Sequence, residues 1–160
     1  CSRLSLTDIL DRVQALSPAG HAIALHVQFT TARYLFQAYG RVWVEHYSQN
    51  GLVMHDPTVR WGLSHEGVRR WSDMRDEDSM GTLEEARRHG LAHGVSIAQV
   101  LDGSRSLAGF ARPDRPFSGE EIAELERLLH RLARMTADPD GLPEEERAAL
   151  HALSVVQTHR

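Results

Sequence analysis

The chain has 160 residues, a hydrophobic fraction of 41% and a formal net charge of −4, which describes one domain able to bury a core unaided. All 18 basic residues are Arg, set against 22 acidic ones; without a basic excess the chain lacks the electrostatic footprint of a free nucleic-acid-binding domain, whose affinity rests on phosphate contacts. No apolar run approaches the ~18 residues of a membrane span, and the single cysteine, Cys1, excludes an internal disulfide and points to a reducing, cytoplasmic setting.

No signal segment opens the chain, and a first residue other than Met reads as trimming. Leu6, Ile9, Leu10, Val13 and Leu16 recur at helical spacing, so residues 5–17 are expected to form an amphipathic helix, stopped by Pro18-Ala19-Gly20. Ile23, Leu25, Val27 and Phe29 alternate with the period of a half-buried strand. Residues 32–39 read as the next strand of a meander. Gly40 to Gln49 reads as a helix with Val42, Trp43, His46 and Tyr47 on one side. Asp56-Pro57 opens a short helix, Asp as N-cap and Pro at the first helical position. Residues 66–72 look extended. Thr82-Leu83-Glu84-Glu85 has the form of a capping box, starting a helix that Gly90 ends. Val95, Ile97, Gln99 and Leu101 mark a strand, Asp102-Gly103 a hairpin turn, and 107–111 the returning strand. Ser118-Gly119-Glu120-Glu121 is a second capping box, and its helix puts Ile122, Leu125, Leu129 and Leu132 on one face as far as about Met135. Residues 137–143 read as a linker, and 144–153 as a last short helix anchored by Leu150 and Leu153. The expected fold is α/β: a central, mainly antiparallel sheet of about five strands between helical layers.

The residues that carry chemistry are Trp43, Tyr47, Asp56, Pro57, Trp71 and Gly94. Trp43 and Tyr47 lie four apart, so one helical face presents an indole N–H and a phenol O–H on large apolar bodies. Asp56 supplies a strong acceptor, and Trp71 another flat ring. Singly, each aromatic reads as core and Asp56 as a helix cap. Together they suit a small ligand with carbonyls, one amide N–H and an apolar tail, since ligand pockets place few polar groups in an apolar cavity.

The segment Trp43-x3-Tyr47-x8-Asp56-Pro57-x13-Trp71, followed by Gly90-Leu91-x2-Gly94, resembles the autoinducer-binding domain of LuxR-type quorum-sensing transcription regulators. The likeness runs from about residue 5 to residue 136. It implies an α/β/α sandwich that buries an N-acyl-homoserine lactone between the sheet and one helical layer. On that pattern Trp43 donates to the lactone carbonyl, Tyr47 donates to the acyl carbonyl, Asp56 accepts from the amide N–H, and Trp71 stacks on the lactone ring. Tyr39 and Thr58 fall at further pocket positions, while Pro57 and Gly94 shape the site. Some relatives carry a hydroxyl on the returning strand; here the stretch is Ala108-Gly109-Phe110-Ala111, and Phe110 is expected to fill pocket volume instead.

These readings divide the chain into a sensor domain (1–136), a linker (137–143) and a short helical tail (144–160). Leu142-Pro143-x2-Glu146-Arg147-x2-Leu150 resembles the start of a helix-turn-helix domain, whose groove-reading helix would lie past Arg160. DNA contact is therefore expected only through a domain absent from this sequence. A metal site is not expected: His89 and His93 are four apart but Gly90 interrupts them, and no HExxH or cysteine pair accompanies them. No Gly-x-Ser-x-Gly elbow or phosphate loop appears, so an enzyme is not expected, nor any cofactor beyond the small-molecule ligand. Two functions remain open. One is a ligand sensor that couples binding to folding and to dimerisation, with itself or with a related regulator. The other is an interaction module that heterodimerises without a ligand, its pocket filled by side chains such as Phe110; a sensor of a non-lactone amide or aromatic signal is a variant of the first.

Overall fold

Most helices of this protein start where a side chain accepts from their first free N–H groups. The computed structural model describes residues 5–28, 31–51, 56–78 and 81–154; Cys1, Phe29 and the last six residues of the expected tail fall outside them. Ser5 and Ser118 open α1 (Leu6–Leu16) and α5 (Gly119–Ala137) with reciprocal capping boxes to Asp8 and Glu121. Asp56 caps α3 (Pro57–Ser64), with Pro57 at its first position. Between these lie α2 (Arg41–Gln49), α4 (Thr82–Arg88) and α6 (Glu144–Leu153).

The α4 start departs from expectation. Gly81, in the left-handed region, precedes the helix, and Thr82 makes no capping bond. The Asp78 carboxylate reaches over instead, accepting from Thr82 N at 2.8 Å and Leu83 N at 2.7 Å. An ionised acceptor makes the stronger bond to these N–H groups, so the apparent Thr-x-x-Glu box is bypassed. Two other expectations shift. Val42 is 69% exposed and Leu153 45%, leaving Trp43 and Leu150 as the buried residues of α2 and α6. The extended stretch is shorter than 66–72, ending at Arg70, and Trp71 begins a 3₁₀ segment.

The strands β1 (Gly20–Gln28), β2 (Thr31–Gln37), β3 (Gly67–Arg70), β4 (His93–Leu101) and β5 (Ser104–Arg112) form one antiparallel sheet in the order β2-β1-β5-β4-β3. The β4–β5 hairpin turns on Asp102 and Gly103, both at positive φ (51° and 80°), the requirement of a type I′ turn. In β1 the register against β5 shifts between Ala24 and Val27, and His26 there adopts φ 57°, a bulge. Its ring joins Ser104 Oγ (2.7 Å) to Thr136 Oγ1 (2.9 Å) at the end of α5.

Strand alternation divides the molecule into two halves. Ile23, Leu25, Tyr34, Phe36, Val95, Ile97 and Phe110 face a solid core closed by the apolar stripes of α1, α5 and α6. Helix α6 joins this layer through Leu150, which is fully buried, and through Leu6 N donating to Glu146 Oε1 at 2.8 Å. The opposite face carries α2, α3, α4 and the 3₁₀ segment, with Trp43, Trp61, Trp71, Met74, Leu83 and Leu91 as its cluster. Among the described residues no helix is long and apolar enough to cross a membrane.

Candidate functional site

The second layer does not close down on the sheet. Between them lies a cavity of about 700 Å³, within the range of small-molecule sites. Small residues form much of its floor: Ala22 and Ala24 on β1, Gly109 on β5, Ser96 on β4. Its roof comes from Trp43, Val44 and Tyr47 on α2, Thr58, Val59 and Leu63 on α3, and Leu83 and Ala86 on α4.

Asp56 organises the polar end. Capping α3 aims its carboxylate at the helix start, where Oδ1 accepts from Thr58 N at 2.9 Å and Thr58 Oγ1 at 2.6 Å. Oδ2 accepts from the Tyr47 hydroxyl at 2.7 Å, so one buried carboxylate links α2 to α3. Burial, then the nearby Asp56 charge, pushes the Tyr47 and Tyr39 hydroxyls far above the ordinary phenol range. Both stay protonated and serve as donors. Tyr39 donates to Gly109 O at 3.3 Å.

Trp71 lies against β4 with its Nε1 donating to Ser96 Oγ at 3.0 Å. Gly94 makes this possible: a Cβ there would sit 2.0 Å from the Trp71 ring, where no side chain fits. Trp43 is tilted against Tyr47 and against His89, centroids 5.7 and 5.2 Å apart. Its indole N–H has no hydrogen-bond partner among the described residues, whereas the hydroxyls and indole of Tyr39, Tyr47, Thr58 and Trp71 are each engaged within the protein. His89 in turn stacks on His46, whose Nε2 lies 3.7 Å from Glu85. No group of three or more potential metal ligands occurs among the described residues.

The structure thus brings Tyr39, Trp43, Tyr47, Asp56, Thr58 and Trp71 around one cavity, with Pro57 buried behind at the first position of α3. It does not bring Phe110 there. Phe110 pairs with His21 and Val95 and points into the solid core on the far side of the sheet. A hydroxyl that sequence reasoning missed is Ser96. Counting by two from Gly94 puts Ser96 and Ala98 on the Gly94 face, but the conspicuous apolar alternation of Val95 and Ile97 marks the other face.

Residues 19–138 match the family described as autoinducer binding domain. The chain is similar to the transcriptional activator protein SolR of Ralstonia solanacearum, 30% identical over 102 residues, which are 63% of this chain and 43% of that protein. It thus spans less than half the length of this curated relative. Its fold is shared with the N-acylhomoserine lactone-dependent LuxR family transcription factor CepR2 of Burkholderia cenocepacia (TM-score 0.60, 18% identity, 79% of this chain and 77% of that one). It is shared as well with SdiA in complex with octanoyl-rac-glycerol (TM-score 0.59, 22% identity, 81% and 56%). A sheet with one open face, an aromatic roof over it and one shared carboxylate at its polar end is the arrangement of a receptor for a small molecule, and the chain belongs to the autoinducer-binding domains of LuxR-type transcriptional regulators.

Proposed function

We propose that this domain binds an N-acyl-homoserine lactone in the cavity above the sheet and converts occupancy into stability of the fold and, through it, into dimerisation. The observation that carries the reading is the polar end of the cavity. There Trp43 offers an indole N–H with no partner among the described residues, Tyr47 a hydroxyl whose one proton goes to Asp56 Oδ2 and would turn from it to reach a ligand carbonyl, and Asp56 an acceptor that this turn would free. A lactone amide needs those groups: a donor for the ring carbonyl, a donor for the acyl carbonyl and an acceptor for the N–H. Trp71, laid flat on Gly94, offers a face for the ring.

The family comprises sensor domains of regulators rather than enzymes. A ligand bound only by the folded state stabilises it by about 4 kcal/mol at a thousand times its dissociation constant. In a longer regulator that gain would favour a dimer able to present DNA-reading domains to two half-sites.

The test is to purify the protein from cells fed a mixture of acyl-homoserine lactones, denature it and weigh what is released. One lactone recovered in near-equimolar amount is expected; well-folded protein that releases none would end the reading. A second reading, a non-lactone acyl or amide ligand, draws support from the glycerol ester bound by SdiA, and the same mass spectrum would reveal it. The ligand-free interaction module loses support, because Phe110, the side chain expected to fill the pocket, lies on the other face of the sheet.

A further inference from the structure

We infer that the acyl group this cavity takes is long, about ten carbons or more, and that it runs along β1 from Ala22 toward Val27; the inference rests on the lactone reading above. Size is the first argument. At roughly 30 Å³ per non-hydrogen atom, the density of liquid water, 700 Å³ admits about 23 atoms. A homoserine lactone head with its amide nitrogen uses about seven of them, which leaves about sixteen for the acyl group. A butanoyl or hexanoyl ligand would leave much of that space empty, and unfilled apolar space is costly.

The direction follows from register. The polar groups converge where Ala22, Gly109 and Ser96 lie in one row across the sheet. From that row β1 proceeds through Ala24, flanked by Leu35 and Leu107, to Val27 opposite Ala32, all of them lining the cavity. Ala22 to Val27 covers about 13–16 Å, four strand rises by their β5 partners Gly109 and Arg105 and five by their β2 partners Gln37 and Ala32. An extended chain advances about 1.2 Å per bond, since three backbone bonds span about 3.6 Å, so this groove accommodates about eleven to thirteen bonds. The alanines give it depth: a larger residue at 22, 24 or 32 would occupy the path of the tail.

The experiment is calorimetric titration with unsubstituted N-acyl-homoserine lactones from butanoyl to tetradecanoyl. Affinity should rise about fourfold per added methylene, the worth of burying one, and level off only at about ten carbons or beyond. Ala24→Leu, in protein whose melting temperature is at or above the parent's, should weaken dodecanoyl binding at least about tenfold and move the optimum to shorter chains; Ala32→Leu serves the same purpose should the first variant not fold. Hexanoyl binding as tight as dodecanoyl, or an unchanged chain-length profile in a folded variant, overturns the inference alone. No binding at any length removes it together with the lactone reading.

Discussion

The two faces of the sheet solve opposite problems with similar material. On one, α1, α5 and α6 pack leucines directly against the strands in one buried cluster. On the other, three tryptophans and shorter helices stand off from a floor of alanine and glycine. Area burial stabilises the first layer outright. The second borders a cavity of about 700 Å³ and carries an indole N–H with no partner among the described residues, features that cost the folded state stability. The fold therefore anchors a receptor half on a scaffold half, with the sheet as the shared wall.

Truncations on the two faces should separate them most. Leu132→Ala, at a position with no exposed surface, should cost about 3–5 kcal/mol of unfolding free energy, transfer plus cavity. The same change at Leu107, which already borders the cavity, should cost about 2 kcal/mol or less. Equal losses in denaturant titrations would mean that the void is not a feature of the folded protein in solution.

Acid should act first on the scaffold half. His21 is buried beside Phe110 with Nδ1 unpartnered, and burial lowers its pKa to about 4. Because the unfolded chain takes up the proton first, the stability due to neutral His21 is intact above about pH 6.5 and drains away as pH falls toward 4, by up to about 3 kcal/mol. His26, also lowered by burial, adds in the same direction. His21→Gln should flatten this slope of stability against pH; a variant as acid-sensitive as the parent would exonerate His21.

Effects on the receptor half are smaller in stability and larger in binding. Gly94→Ala drives a methyl into Trp71 and should cost about 1–3 kcal/mol as overpacking, with loss of ligand-induced stabilisation in thermal melts. If the variant still responds to ligand as the parent does, Trp71 is not part of the site. Asp56→Asn keeps a capping oxygen for Thr58 and weakens a charged acceptor, so it should reduce ligand affinity by about 1–2 kcal/mol by calorimetry with the fold nearly unchanged. Unaltered affinity would make Asp56 a cap and nothing more.

The contrast between the halves also explains what could be read from the chain. The capping box at Ser118, the Asp56-Pro57 start and the Asp102-Gly103 turn use partners within four residues, so sequence shows them directly; the Ser5–Asp8 box at the start of α1 emerged only with the structure. The grouping of Trp43, Tyr47, Asp56 and Trp71 was legible because their spacing follows a family pattern. Phe110 was misplaced because a strand residue's face depends on register, and one step moves it through the sheet. The α4 cap was misread because its acceptor, Asp78, comes from outside the helix across Gly81. Ser96 was hidden by apolar neighbours whose alternation belongs to the other layer.

The distribution of indoles has a practical consequence. All three tryptophans of the chain sit in the layer above the cavity, so tryptophan emission, excited selectively over tyrosine, reports on that layer and not on the scaffold. Far-ultraviolet circular dichroism, dominated by the long α5 and the other helices, watches both. If the two signals lose their native values at the same denaturant concentration, the halves unfold as one cooperative unit. If the emission changes first, the receptor layer opens over an intact scaffold, and a ligand that closes the gap between the two curves would be seen stitching the layers together.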